Sequence, residues 1–408
     1  MSEEKRKLAV NCGLACLLND REGVLDNYDR LTINCGTMIL SSAINAKLGA
    51  KGAAINCGDM MIKDIKGEVI QLNKGAVIDG NSNLKDLFVI AMDNLLIKKD
   101  GIKALDEVEG IIALGKIYYP ESAGLASLIK VSGEKKAYPD DAHVILGDQK
   151  MEDLIFINQK GDKKHFWISK RLTALDKEAL ESARSQGLTI SCAKFFSYEG
   201  LNKEYGSMIN CADRTLVPDG FEIVDKIREG ELGLHGKKLY VNGDFTMNEN
   251  DIPALEELES VIVKGKASLP ASAVKVFRNK GKADEYFVFE GRFIKINGFE
   301  QFSHGKLETS VKQGQKLTLH VNGCLQIDDD VTPEDIECIA SLTYNGTVLV
   351  SDPAKSALAQ KVKEGNGFLG DSATLEKMTG KSVKDLINGN SNGDSKGTTI
   401  NMGTYILV

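Results

Sequence analysis

The tetrapeptide Val10-Asn11-Cys12-Gly13 returns as Ile33-Asn34-Cys35-Gly36 and again as Ile55-Asn56-Cys57-Gly58, at steps of 23 and 22 residues. A further step of about 34 reaches Val89-Ile90-Ala91-Met92, and one of 22 reaches Ile111-Ile112-Ala113-Leu114. Self-similarity at such a period is the mark of a chain built by stacking one small unit. A unit of this size cannot bury its apolar face alone but does so against its neighbours.

A longer period overlies the short one. Leu31-Thr32-Ile33-Asn34-Cys35-Gly36 matches Leu188-Thr189-Ile190-Ser191-Cys192-Ala193 at an offset of 157, Ile55-Asn56-Cys57 matches Ile209-Asn210-Cys211 at 154, and Leu87-Phe88-Val89 matches Leu239-Tyr240-Val241 at 152. A third start at Val321-Asn322-Gly323 lies 311 residues after Val10. These offsets predict a first copy over 1–160, a second over 161–318, and a partial third with a cap over 319–408, all in one continuous stack. The tail adds a loop-like run, Asn388–Ser395, and a last strand over Thr399–Val408.

Each short repeat reads as strand, loop and helix. Leu239-Tyr240-Val241-Asn242-Gly243 alternates like a strand, and Asn250–Leu258 reads as a capped helix. Thr332-Pro333-Glu334-Asp335-Ile336 is a helix start, with a hydroxyl to cap free amides, proline at the first position and carboxylates at the positive end of the dipole. The expected fold class is therefore α/β: a repeat solenoid with parallel β-strands on one face and helices on the other. The pattern resembles the leucine-rich-repeat class, best in Leu258-x-x-Val261-x-Val263 and Val108-x-x-Ile111-x-Ala113. It departs from that class in its asparagines: Asn34, Asn56 and Asn242 follow the last strand hydrophobe immediately, whereas the family places its asparagine three positions on. The rival architecture is a right-handed β-helix, whose coils are mostly strand and need no helix per turn.

Composition narrows the function. With 58 acidic against 51 basic residues and a net charge of -7, the chain offers no basic face for nucleic acid. Asn11, Gly13 and Asn19-Asp20-Arg21-Glu22 interrupt the apolar N-terminal run, so no signal peptide is read, and no apolar stretch approaches the roughly 20 residues that cross a bilayer. The expectation is a cytoplasmic protein that uses neither membrane nor nucleic acid and keeps its eight cysteines as thiols.

Strand alternation puts Ile33 and Cys35 on one face and Thr32 and Asn34 on the other. The cysteines then form a small apolar packing column, with no metal set implied. Asn34, Asn56, Asn210, Asn242 and Asn322 face outward, and with Tyr240, Asp244 and His320 they form the candidate ligand-binding strip. The alternative for the asparagines is turn or bulge chemistry at strand ends. Gly110–Lys116 fits the first seven positions of a phosphate-binding loop, but Ile117 stands where the magnesium-binding hydroxyl belongs, so no cofactor is expected. The acidic runs Asp328–Asp330 and Asn248–Asp251 precede helix starts and lack calcium-loop spacing. Trp167 is expected in the core or at a seam.

No catalytic set is visible. The expected function is that of a non-enzymatic binding or scaffold protein presenting an extended surface to a protein or peptide partner. Two alternatives remain: a self-assembling, filament-forming solenoid, suggested by the apolar end Tyr405-Ile406-Leu407-Val408, and a carbohydrate-active enzyme on a β-helix.

Overall fold

The apolar residues of a typical strand come as two pairs separated by a break: Leu31 and Ile33, then Met38 and Leu40; Val261 and Val263, then Ala267 and Leu269. The break falls at or beside a glycine. In a computed structural model, which describes residues 6–20, 22–124, 128–379 and 397–407, the strand runs on through the break and both pairs pack in the same core. The run Asn388–Ser395 and Val408 lie outside the described residues.

The architecture is mixed α/β, with parallel strands and short intervening helices. Among the described residues the strands form five sheets. One covers residues 68–138, the next 143–217, then 222–289 and 292–370. The remaining sheet contains the three strands that open the chain, β1 (Lys7–Leu17), β2 (Arg30–Leu40) and β3 (Ala54–Ile62). Its fourth member is the closing strand, Gly397–Leu407, which pairs in parallel with the free side of β1.

Two compact units divide the chain. One comprises Met1–Ser197, Leu201–Leu216 and Asp394–Val408. In it, Leu8, Val10, Leu31 and Ile33 pack with Ile44 and Leu48 of the helix Ser42–Ala50, whose first turn is capped by the Ser41 hydroxyl accepting from Ile44 N–H at 3.2 Å. The opposite strand face is also covered. Leu14, Cys16 and Ile39 meet Phe88, Ile90 and Ile112 of the next sheet. Trp167 joins Leu96, Tyr118 and Tyr138 at a second sheet-to-sheet seam, its ring centroid 5.6 Å from that of Tyr118.

The other unit comprises Tyr198–Gly200 and Val217–Gly393. The helix starts expected near Asn250 and at Thr332 are both present. Asn248 and Asp251 form a capping box ahead of Ile252–Glu257, and Thr332 and Asp335 form another on Pro333–Ile336. The acidic run Asn248–Asp251 thus serves a helix N-terminus. The glycines of Gly110–Lys116 build no loop, because this stretch lies inside the strand Gly110–Pro120 and Lys116 Nζ pairs with Glu134 at 2.6 Å.

Candidate functional site

In β1, β2 and β3 the residues Asn11, Asn34 and Asn56 stand in register, and the closing strand adds Asn401 opposite Asn11. Their side chains form a relay of one polarity. Asn56 Nδ2 donates to Asn34 Oδ1 at 2.8 Å, Asn34 Nδ2 to Asn11 Oδ1 at 2.7 Å, and Asn11 Nδ2 to Asn401 Oδ1 at 2.7 Å. Stacking identical amides between in-register strands pairs each donor with an acceptor, and hydrogen bonds in such a chain polarise one another.

The glycine two residues on makes this spacing work. A methyl group on Gly36 would sit 3.0 Å from the Gly13 carbonyl oxygen, and one on Gly58 only 2.8 Å from that of Gly36. Glycine at this step lets the next strand stack without crowding that carbonyl. The last sheet has its own version, with Asn297, Asn322, Asn345 and Asn366 in register. Asn322 Nδ2 donates to Asn297 at 3.4 Å, and Asn366 Nδ2 to Asn345 at 3.0 Å.

Of the eight residues expected on a binding strip, Asn34, Asn56 and Asn322 are ladder members. Asn210 is exposed on a short strand and pairs in register with Ser191. Asn242 is half-buried, its backbone N–H donating to Val224 O at 2.8 Å. Asp244 Oδ1 accepts from Lys266 N–H at 3.0 Å, a bond across to the strand Ser260–Pro270 of the next repeat. His320 lies between Lys295 and Thr343, its pKa lowered by burial and by Lys295 and Lys266. Tyr240 departs from the expectation: it is 1% exposed, and burial together with Asp284 raises its pKa. Alternation put it on the outer strand face, but that face is covered here. Asn34, Asn56 and Asn210 belong to one unit, and Tyr240, Asn242, Asp244, His320 and Asn322 to the other.

The cysteine column forms beside the ladder. Cys12, Cys35 and Cys57 are in register and half-buried against the apolar core, and burial pushes the Cys12 and Cys35 thiols up. Among the described residues, no group of three or more His, Cys, Asp or Glu is placed to hold a metal ion.

What the ladder leaves open is its two ends. Among the described residues, no group donates to Asn56 Oδ1, and the outward Nδ2 of Asn401 has no acceptor. Among the described residues, no strand pairs with the outer side of β3 or of the closing strand. Met60, Met61 and Ile62 of β3 are 47%, 40% and 51% exposed, and Met402 of the closing strand is 45% exposed. Three apolar columns end at those β3 residues: Tyr405, Ala15, Met38, Met60; then Ile406, Cys16, Ile39, Met61; then Leu407, Leu17, Leu40, Ile62.

The closing strand was missed as a member of this sheet, although Ile400-Asn401-Met402-Gly403 repeats the opening motif. It carries Asn-x-Gly, as β1 to β3 do, and not the adjacent Asn-Gly of Asn322-Gly323 and Asn345-Gly346.

A polar cleft of about 640 Å³ in the second unit is lined by Glu229, Asn248, Glu249, Arg292, Phe293 and Lys316. Several of its groups serve the local framework: Glu249 accepts from Ser272 Oγ at 3.3 Å, and Lys316 Nζ donates to Glu337 O at 2.8 Å. Compared with protein-family models, curated proteins and solved structures, the chain matches none. Among the described residues, no helix is long and apolar enough to cross a membrane.

Proposed function

We propose that this chain is a non-enzymatic binding or scaffold protein whose working surface is a sheet edge. An extended segment of a protein or peptide partner adds to β3 as a parallel strand. The observation that carries this is the exposed edge itself, with Asn56 Oδ1 open and Met60, Met61 and Ile62 uncovered beside it. Proteins usually guard such edges with charge, proline or a covering element, and main-chain pairing along an unguarded edge is a standard route to peptide capture. Here β3 itself carries one charged residue, Asp59, and Lys63 and Asp64 follow its end.

The finer fold reading is a helix-bearing repeat solenoid of leucine-rich-repeat character. It is supported by registers of 22 to 23 residues between β1, β2 and β3 and by helices such as Ser42–Ala50 between strands, which a β-helix does not need. Eight free thiols fit a reducing cytoplasm.

Selection from a phage-displayed library of random peptides tests the function. Bound peptides should share an apolar-Asn-x-Gly core followed by apolar residues, and should lose binding to a protein carrying Met60→Lys and Met61→Lys. Peptides that bind this variant as tightly as the unaltered protein would sink the edge as the site.

A further inference from the structure

Resting on the reading of β3 as a receiving edge, we propose that its occupant is the closing strand of a second copy, so that copies join head to tail through their first sheets.

The two edges are complementary in three independent ways. The first is polarity. The relay runs with every Nδ2 pointing toward the closing strand and every Oδ1 toward β3, so the outward Nδ2 of Asn401 in one copy meets the open Oδ1 of Asn56 in another. A strand offered in that order continues the chain of amides, and no residue has to turn its side chain over.

The second is the glycine step. Glycine stands where the neighbouring carbonyl comes close, Gly36 over Gly13 and Gly58 over Gly36. The closing strand carries the same spacing in sequence, with Gly403 two residues after Asn401 as Gly58 is after Asn56.

The third is apolar cover. In the register that aligns Asn401 with Asn56, Tyr405 faces Met60, Ile406 faces Met61 and Leu407 faces Ile62. These are the pairings already made inside the sheet with Ala15, Cys16 and Leu17, and with Met38, Ile39 and Leu40. The columns that end exposed on one copy thus resume on the next. Donor edge and acceptor edge are different surfaces, so the contact is heterologous and does not saturate at a dimer.

Sedimentation velocity of the full chain across a concentration series tests this, with two variants. Asn401→Asp removes the outward donor yet keeps the oxygen that accepts from Asn11, so the sheet within one copy is retained. Met61→Lys places a charge on the exposed receiving edge. The expected result is a wild-type weight-average mass that rises about twofold or more above 44.3 kDa with concentration, while both variants stay at the single-copy mass with unchanged circular dichroism. A wild type fixed at the single-copy mass overturns the proposal, and so does growth that persists in both variants. A synthetic peptide of residues 397–407 separates the two readings. If the wild type stays single but binds this peptide and Met61→Lys does not, β3 is a receiving edge and the second copy is not its occupant. If the library also yields nothing that depends on Met60 and Met61, both readings fall.

Discussion

Asn34 gives its amide hydrogen to Asn11 Oδ1 at 2.7 Å and takes one from Asn56 Nδ2 at 2.8 Å, so one side chain links three strands of the opening sheet. Replacing it by alanine removes both bonds. At about 0.5–1.5 kcal/mol net for each, Asn34→Ala should cost about 1–3 kcal/mol in urea unfolding. Asn34→Asp keeps the acceptor for Asn56 but sets a carboxylate against Asn11 Oδ1, so its penalty should shrink as pH falls below about 4 and the carboxylate gains a proton to donate. Equal penalties for Asn34→Asp at pH 3.5 and pH 7 would count against the ladder.

The glycine columns predict a contrast between two substitutions to alanine. Gly323 has φ +134°, and a methyl group there collides with the Gly298 carbonyl, so Gly323→Ala combines backbone strain of about 1–3 kcal/mol with a steric clash. Gly305 lies in the helix His304–Lys312 with nothing near its missing side chain. Gly305→Ala should therefore raise stability by up to about 1 kcal/mol. Urea midpoints moving in opposite directions are the expected outcome.

His304 Nδ1 lies 2.7 Å from Asp335 Oδ2, and Asp335 is 5% exposed beneath its capping box. The hydrogen bond with Asp335 raises the His304 pKa; burial works to raise that of Asp335, but the bonds to His304 and Thr332 bring it below the ordinary carboxylate range. A raised histidine pKa contributes stability that is complete below its unfolded value near 6.5 and fades as pH climbs through the folded value. The lowered carboxylate contributes above about 3.9 and fades as pH falls through its folded pKa. The pair is therefore strongest between about pH 4.5 and 6. The urea midpoint should fall from pH 6 to pH 8.5 in the wild type by more than in His304→Gln, and equal falls in both would remove the linkage.

The opening repeat was legible because in-register stacking imposes one residue type on every strand: an amide that pairs with its copy, and a glycine that clears a carbonyl. The helix starts at Thr332 and Asn248 were legible for local reasons, since a cap and its partner lie three residues apart. The pairing of the last strand with the first was not. It joins Asn401 to Asn11 across almost the whole chain, and no period along the sequence reports a contact between two ends. Tyr240 fails for a different reason. Alternation tells which face of a strand a residue takes, but it does not tell what covers that face, and in this fold sheets pack on sheets, as Trp167 against Tyr118 illustrates.

The most direct measurement of the head-to-tail edge uses Met402→Cys. In β1 the residue opposite Met402 is Cys12, and across the proposed contact it is Cys57 of a second copy. Neighbouring strands lie about 4.8 Å apart, within the range a disulfide spans. Mild oxidation of the associated protein, followed by mass-spectrometric mapping, should find position 402 joined both to Cys12 within a copy and to Cys57 between copies. The Cys57 link should vanish when Met61→Lys is added. Position 402 joined to Cys12 alone, in a protein whose mass still grows with concentration, would contradict the account.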